Sequence, residues 1–343
     1  MDLKRDIKHY ANSIGIDLIG FTSAEPFEDI RDILEFRKSL GYLSGFEEKD
    51  IDLRINPKKT MTNAESIIAI ALSYYNEPDD IKNDISKFCG KLSRIAWGTD
   101  YHIVLREKLE KIAKFIKNKK MDFEYKAFVD TGPLVDRQVA YRAGLGYYGY
   151  NSVLINDKYG SWIVIGYMIT NLQIEADYPL IDKRCYGCNL CIKNCPTGAI
   201  EGAYKFNADK CISNILQQKK EIRGKDRPVL ENKIYGCDIC QEVCPHNKKI
   251  EHTSEDRFSP VKLSPMPDLI ELLNIPNKKF KETYGMSSAG WRGKKILQRN
   301  AIIALVNHKD KDAIPYLQEL LKDSRSEIRE YALWGINILQ DMD

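Results

Sequence analysis

The sequence predicts an α/β region, then a short cysteine-rich domain, then an all-helical tail. Three observations predict this order. Apolar residues alternate between helical and strand spacing in the first half of the chain. Eight of the nine cysteines lie between Cys185 and Cys244. Short amphipathic segments joined by charged turns occupy the C-terminal end. The predicted domains are residues 1–175, 176–250 and 251–343.

Residues 1–175 are assigned to the α/β class because their apolar residues follow helical and strand spacing. Apolar side chains at helical spacing predict helices, and short apolar runs predict strands that are at least half buried. A polar stretch with three prolines at 251–267 suits a connecting loop. The predicted helices are 4–14, 101–117 and 133–143, and the predicted strands are 17–21, 66–73, 124–129 and 161–170.

The tail carries apolar residues at helical spacing over residues 299–307, 313–322 and 327–339. Short paired helices of this kind are typical of HEAT-like units. One or two such units are too few to form a stable solenoid by themselves. We therefore expect these helices to pack on the rest of the protein.

The bulk composition is that of a globular protein. A chain of 343 residues can hold two or three domains, and a net charge of +3 is too small to indicate a partner. No apolar run reaches the roughly 18 residues of a membrane span, and the N-terminus has neither a signal core nor a twin-arginine pair. We therefore expect a cytoplasmic protein, whose reduced thiols bind metal rather than form disulfides.

The cysteines form a double pattern. Cys185-x2-Cys188-x2-Cys191-x3-Cys195-Pro196 is followed by Cys237-x2-Cys240-x3-Cys244-Pro245, with Cys211 between the two runs. In two-cluster ferredoxins the last cysteine of such a run ligates the other cluster, and eight thiolates match two [4Fe-4S] clusters. The pattern therefore predicts a bacterial ferredoxin-like domain. The predicted ligands are Cys185, Cys188, Cys191 and Cys244 for cluster 1, and Cys195, Cys211, Cys237 and Cys240 for cluster 2.

A four-cysteine zinc site is the alternative interpretation, although zinc knuckles seldom carry this run of spacings. Cys89 stands alone in the sequence and is expected to be a buried apolar residue rather than a ligand. The stretch Gly144-Leu-Gly146-Tyr-Tyr-Gly149 matches the dinucleotide-binding motif. Its context is wrong, however, because a predicted helix precedes it and a strand-like segment follows it. We expect a tight loop there, or a loop that lies against some other cofactor.

Two further signals are open to a structural or a functional interpretation. Asp130 follows a predicted strand and is either a helix cap or an acid. Between Lys278 and Arg299 there are seven basic residues and one acidic residue, with Trp291 among them. Such a face either contacts phosphates, with the aromatic ring stacked on an unpaired base, or is simply a solvated helix face. His102, a lone histidine, is expected to be structural.

The order of the motifs resembles the epoxyqueuosine reductases. The resemblance rests on Trp97-Gly-Thr-Asp-Tyr-His102, on Val129-Asp-Thr-Gly-Pro-Leu-Val-Asp-Arg137, on the double cysteine pattern and on Ser288-Ala-Gly-Trp-Arg-Gly-Lys-Lys295. It covers essentially the whole chain. It implies a cobalamin-dependent oxidoreductase with two [4Fe-4S] clusters, which reduces epoxyqueuosine to queuosine at the wobble position of tRNA.

The resemblance also implies roles for individual residues. Asp130 falls on the proton donor and lies beside cobalamin, and we expect burial to raise its pKa so that it carries a proton. Some relatives have Cys at the position of Ser93. The other implied cobalamin-lining residues are Arg54, Ser93, Leu154, Ile165, Ser213 and Asp238. The basic face would hold the stem phosphates, with Lys294, Lys295 and Arg299 as its candidate tRNA contacts.

We expect a monomer that receives electrons from a small reducing donor protein and that does not contact a membrane. Three alternatives fit parts of the sequence. The first is a reductive dehalogenase-like enzyme that acts on a small molecule. The second is a ferredoxin-type electron carrier, which leaves the first 175 residues unexplained. The third is a HEAT-type scaffold in which the clusters are structural.

Overall fold

The computed structural model describes residues 2–77, 86–180, 185–260 and 263–342. Two compact units are present, and each is assembled from three separate segments. The predicted boundaries at residues 175 and 250 do not coincide with this division, because segments far apart in the sequence share one core. Residues 181–184, at the start of the predicted cysteine-rich domain, lie outside the described residues. The first unit is Met1–Asn76, Tyr101–Asp209 and Ile239–Asp256, and the second is Glu77–Asp100, Lys210–Asp238 and Arg257–Asp343.

Ten strands are found in the described ranges, most of them short. They are β1 (Leu18–Ser23), β2 (Ser66–Ser73), β3 (Lys91–Leu92), β4 (Tyr125–Phe128), β5 (Tyr147–Tyr148), β6 (Leu154–Ile155), β7 (Ile163–Thr170), β8 (Ile200–Gly202), β9 (Lys205–Phe206) and β10 (Lys233–Tyr235).

Fourteen α-helices are found in the same part of the chain. They are α1 (Leu3–Ser13), α2 (Arg31–Ser39), α3 (Ile51–Ile55), α4 (Pro57–Thr60), α5 (Tyr101–Lys117), α6 (Asp136–Arg142), α7 (Leu190–Lys193), α8 (Ile212–Gln217), α9 (Ile239–Glu242), α10 (Leu269–Asn274), α11 (Asn277–Thr283), α12 (Lys294–Asn307), α13 (Ile314–Leu320) and α14 (Ser326–Gln340).

The first unit is built around a four-stranded sheet with the strand order β1-β2-β7-β4. All three strand pairs are antiparallel, so the α/β prediction is corrected to an α+β arrangement. β2 is buried along its whole length because it lies in the middle of the sheet. α5 and α6 pack on this sheet. The predicted strand 66–73 and the predicted helix 101–117 are confirmed at both ends.

The second unit is centred on α12, which is buried from Ile296 to Val306. α12 packs against α8, α10, α14 and β10, and α13 packs against α14. The predicted tail helices are therefore confirmed as helices and do pack on the body. They do not form a separate domain, because residues 210–238 contribute to the same apolar core.

Over the described ranges, the protein has no helix that combines the length and the apolar composition needed to cross a membrane.

Candidate functional site

Four of the eight clustered cysteines surround one cavity in the first unit. Cys185, Cys188, Cys191 and Cys244 line this cavity, which is partly open to solvent, together with Ile155 and other residues. The two cysteine-bearing helices, α7 and α9, pack against each other. Left-handed backbone at Gly187 and Asn189, with φ of 76° and 54°, turns the chain tightly between Cys185 and α7. The predicted ligands of cluster 1 are thus brought together.

The electrostatics of these thiols show how close they are to one another. Burial, together with the neighbouring Cys185 and Cys244 sulfurs, raises the pKa of Cys191 to about 11. Burial also raises the pKa of Cys244, with Cys185 and Cys188 contributing in the same direction. Several thiolates in such a cavity repel each other, so they are stable together only around a cation. Iron, which prefers soft sulfur ligands, fits this set of donors.

The oxidation state of the cysteines agrees with the prediction. All nine cysteines are free thiols, and Cys89 is buried as expected for an apolar residue. In the portion of the chain that is described, no three His, Cys, Asp or Glu side chains are arranged to hold a single metal ion. The ligand set of cluster 1 is therefore supported by the shared cavity and by the spacing of the cysteines, and it stays a prediction.

The predicted ligands of cluster 2 are divided between the two units. Cys195 and Cys240 belong to the first unit, and Cys211 and Cys237 to the second. In the first unit, Cys195 Sγ lies 3.7 Å from the hydroxyl of Thr197. In the second, Cys211 immediately precedes α8, and Cys237 follows β10. This ligand set stays a prediction from the spacing of the cysteines.

Asp130 lies just beyond β4, at the edge of the four-stranded sheet, and its backbone is left-handed with φ of 57°. Its carboxylate accepts a hydrogen bond of 2.7 Å from the hydroxyl of Tyr101. The Nε2 atom of His102 lies 3.9 Å from the same carboxylate. The side chain is 65% exposed, so the predicted burial of Asp130 is wrong. The reason is that Asp130 sits on a loop that leaves the sheet rather than in its interior.

A second carboxyl group, that of Asp136, lies at the end of this loop and is half-buried. One of its oxygens accepts the backbone N–H of Asp130 at 2.9 Å. Loss of water around Asp136 and, to a smaller extent, the negative charge of Asp130 together raise the pKa of Asp136 to about 7. Two carboxyl groups therefore lie in different surroundings here, one exposed on the loop at Asp130 and one half-buried at Asp136, where α6 begins.

Four of the predicted cobalamin-lining residues lie in the first unit: Arg54, Asp130, Leu154 and Ile165. Leu154 and Ile165 belong to one apolar cluster. Arg54 is only 8% exposed, and its guanidinium makes no hydrogen bond within the described residues. Burial lowers the pKa of Arg54. A buried guanidinium with unused donors fits a ligand rich in amide and phosphate oxygens, as cobalamin is.

The other three predicted cobalamin-lining residues lie in the second unit. The hydroxyl of Ser93 donates a hydrogen bond of 2.6 Å to Asp238 Oδ1, and both residues are buried. The hydroxyl of Ser213 accepts a bond of 3.3 Å from Gln217. Ser93 and Asp238 thus hold each other in place.

The predicted tRNA contacts need correction. Arg299 is fully buried, so its predicted contact with tRNA is wrong. Its guanidinium donates hydrogen bonds to the carbonyl oxygens of Leu216, Gln218 and Lys220. Lys294 donates to the carbonyl oxygen of Ile275. Lys295 forms an ion pair with Glu327 at 2.6 Å. The three residues therefore do not form a free basic face.

The sequence analysis missed three residues around Asp130. Tyr101 and His102 belong to the Trp-Gly-Thr-Asp-Tyr-His motif, which was available as a signal, but His102 was assigned a structural role. Asp136 lies six residues after Asp130 at the start of α6, where an acidic residue is ordinary. Its hydrogen bond with the Asp130 backbone depends on the loop conformation, which no sequence pattern predicts.

Comparisons with known proteins identify the family of the chain. Residues 54–131 match the family described as epoxyqueuosine reductase QueG, DUF1730, and residues 184–247 match a 4Fe-4S double cluster binding domain. The epoxyqueuosine reductase of Staphylococcus aureus is 45% identical over 97% of this chain and 88% of its own length.

Two solved structures are similar over almost the whole chain. One is an epoxyqueuosine reductase with a tRNA-Tyr epoxyqueuosine-modified stem loop, with a TM-score of 0.94 and 44% identity over 99% of this chain and 90% of that one. The other is an epoxyqueuosine reductase from Bacillus subtilis whose catalytic aspartate loop is swung out of the active site. It has a TM-score of 0.93 and 43% identity over 98% of this chain and 90% of that one. This chain is a member of the epoxyqueuosine reductase family of oxidoreductases.

Proposed function

We propose that this protein reduces epoxyqueuosine to queuosine in the anticodon loop of tRNA. The observation that carries the proposal is the pairing of two features in a chain of this family. Four free thiols converge on one cavity, and a carboxylate with a tyrosine partner lies on an exposed loop. A similar protein was solved with an epoxyqueuosine-modified stem loop, which supports tRNA as the substrate.

The reaction requires two electrons and two protons. Both carbon–oxygen bonds of the epoxide break, a carbon–carbon double bond forms, and the oxygen leaves as water. The opening oxygen develops negative charge, so an acid placed beside it lowers the barrier. Asp130 is the proposed acid, and the Tyr101 hydroxyl fixes the orientation of its carboxyl group. The exposed position of Asp130 suits a substrate that is itself a large molecule.

The proposed cofactors are two [4Fe-4S] clusters and cobalamin. Cys185, Cys188, Cys191 and Cys244 would hold cluster 1, and Cys195, Cys211, Cys237 and Cys240 would hold cluster 2. Arg54, Ser93, Leu154, Ile165, Ser213 and Asp238 would line the cobalamin site beside Asp130. Cobalamin, when bound, supplies a strongly reducing cobalt centre. A small reducing protein is the proposed electron source.

The wobble base is a suitable target because it is unpaired and can leave its stack at little cost. The test is anaerobic incubation of the cofactor-loaded protein with tRNA that carries epoxyqueuosine, and with a chemical reductant. Nucleoside analysis by mass spectrometry should show loss of one oxygen and formation of queuosine. An unchanged nucleoside from protein with full iron and cobalamin content would reject the proposed activity.

We expect Cys244→Ala to lose one cluster. The other three thiols of its cavity cannot complete the ligand set, so iron content should fall from about eight to about four atoms per chain. Cys89→Ala is the matched control, because Cys89 is also buried but lies in the second unit and has no neighbouring cysteine in the sequence. Iron and acid-labile sulfide are the quantities to measure. Eight irons in Cys244→Ala would remove Cys244 from the ligand set.

With Arg299 excluded, the exposed lysines of α11 become the proposed phosphate contacts. Lys278, Lys279 and Lys281 are all exposed. Their joint replacement by Ala should weaken tRNA binding and flatten its dependence on salt, because fewer counterions are released. Lys111, Lys114 and Lys117, three exposed lysines of α5, provide the matched control triple. Equal salt slopes for the two triple variants would exclude α11 from the interface.

A further inference from the structure

The hydrogen bond between the Asp130 amide and the Asp136 carboxyl group suggests a role for Asp136. We infer that Asp136 is a positioning residue, which anchors the Asp130 loop (residues 129–135) by accepting the backbone N–H of Asp130. This inference rests on the proposed role of Asp130 as the proton donor. Asp136 itself touches neither the reacting oxygen nor a cofactor in this arrangement, and it acts through Asp130.

The backbone of Asp130 needs such an anchor. A residue with a Cβ atom in the left-handed region costs roughly 1–2 kcal/mol relative to the right-handed region. The φ of 57° at Asp130 is therefore maintained by its surroundings. Just after it, the N–H of Thr131 bonds to the carbonyl oxygen of Val129 at 2.6 Å and closes a tight turn. The Asp136 carboxyl group accepts a hydrogen bond from the backbone of Asp130, and the Tyr101 hydroxyl donates one to the side chain of Asp130.

Asp136 is well suited to hold the loop because it is itself fixed. It is the first residue of α6, which packs against β1, β2 and β7. The loop also passes close over the sheet. A Cβ atom at Gly132 would meet the hydroxyl of Tyr167, on β7, at 2.2 Å. The groups that face the Asp136 carboxyl are Asp130, Arg137 and Tyr167. The anchor therefore joins a loop residue to the rigid sheet layer.

Amide hydrogen exchange tests the anchor without any substrate. In the cofactor-loaded protein, we expect Asp136→Ala to raise the exchange rate of peptides that cover residues 129–135 by about tenfold. Asp136→Asn keeps an oxygen acceptor in the same place and should exchange like the wild type. Asp136→Ser is a second variant, which keeps a polar side chain at the first position of α6 but is too short to reach the Asp130 amide, and it should behave like Asp136→Ala. Asp32→Ala is the matched control, because Asp32 is an exposed acid in the first turn of α2.

Single-turnover kinetics then connect the anchor to the reaction. Asp136→Ala should lower the rate by about tenfold, since a misplaced acid is a poor one, with tRNA affinity and iron content unchanged. Asp136→Asn should recover most of the rate. Wild-type exchange in both Asp136→Ala and Asp136→Ser would overturn the inference, and so would fast exchange in Asp136→Asn. An inactive wild type with these exchange differences would reject the proposed function and leave the anchor in place.

Discussion

Asp130→Asn is expected to fold, to bind both kinds of cofactor and to lose at least about a hundredfold in turnover. General acids typically contribute two to four orders of magnitude to a rate. Asn is the appropriate replacement for two physical reasons. It tolerates the left-handed backbone that Asp130 adopts, and its amide oxygen can still accept the Tyr101 hydroxyl. The replacement removes the ability to deliver a proton and the negative charge of the ionised carboxyl group, while the shape of the side chain is kept.

The measurement is single-turnover conversion of epoxyqueuosine, together with iron content, the cobalamin spectrum and tRNA affinity. Asp122→Asn serves as the control, because Asp122 is an exposed acid in the turn after α5. Loss of turnover with intact cofactors and intact binding supports the acid role. Near-normal turnover in Asp130→Asn would mean that another group donates the proton, and Tyr101 would be the next residue to replace.

Arg299→Met is expected to destabilise the protein by about 3 kcal/mol or more. The guanidinium binds three backbone carbonyl oxygens and also Asn300 Oδ1, all in the buried part of the second unit. Met fills a similar volume but offers no donor. The carbonyl oxygens of Leu216, Gln218 and Lys220 then lose the guanidinium as their hydrogen-bond donor.

Anaerobic chemical denaturation measures this effect through the transition midpoint. Lys295→Met is the control on the same helix, where one exposed ion pair is lost and less than about 1 kcal/mol is expected. Arg299→Lys should also be destabilised, since a single ammonium group cannot span the same acceptors. A stable Arg299→Met protein with weaker, less salt-dependent tRNA binding would instead place this guanidinium at the nucleic acid.

Structure that depends on local residue patterns could be predicted from the sequence. The helix 101–117 and the strand 66–73 could be predicted from periodicity. The helix buries the apolar face that its residue spacing displays, and the strand is a continuous buried run. The grouping of Cys185, Cys188 and Cys191 follows from their close spacing. Cys244 joins them through the pseudo-repeat, which the sequence also displays.

What could not be predicted depends on contacts between distant segments. Lys294, Lys295 and Arg299 have the appearance of a basic surface in the sequence. However, α12 is buried from Ile296 onward, and its polar side chains there donate to backbone carbonyl oxygens. The helix α2 was missed because Ile33, Phe36 and Leu40 face solvent, so its apolar spacing does not mark a core face. The exposure of Asp130 and the hydrogen bond from its backbone to Asp136 depend on how one loop leaves the sheet.

The polar network of α12 also affects how the protein tolerates truncation. Asn300 donates to the carbonyl oxygens of Leu216 and Ile234, so α12 supports both the segment that follows Cys211 and the segment that precedes Cys237. A protein shortened ahead of Lys294 would retain all eight clustered thiols but would lose the support beneath two of them. C-terminal deletions should therefore impair iron–sulfur maturation, even though no ligand is removed.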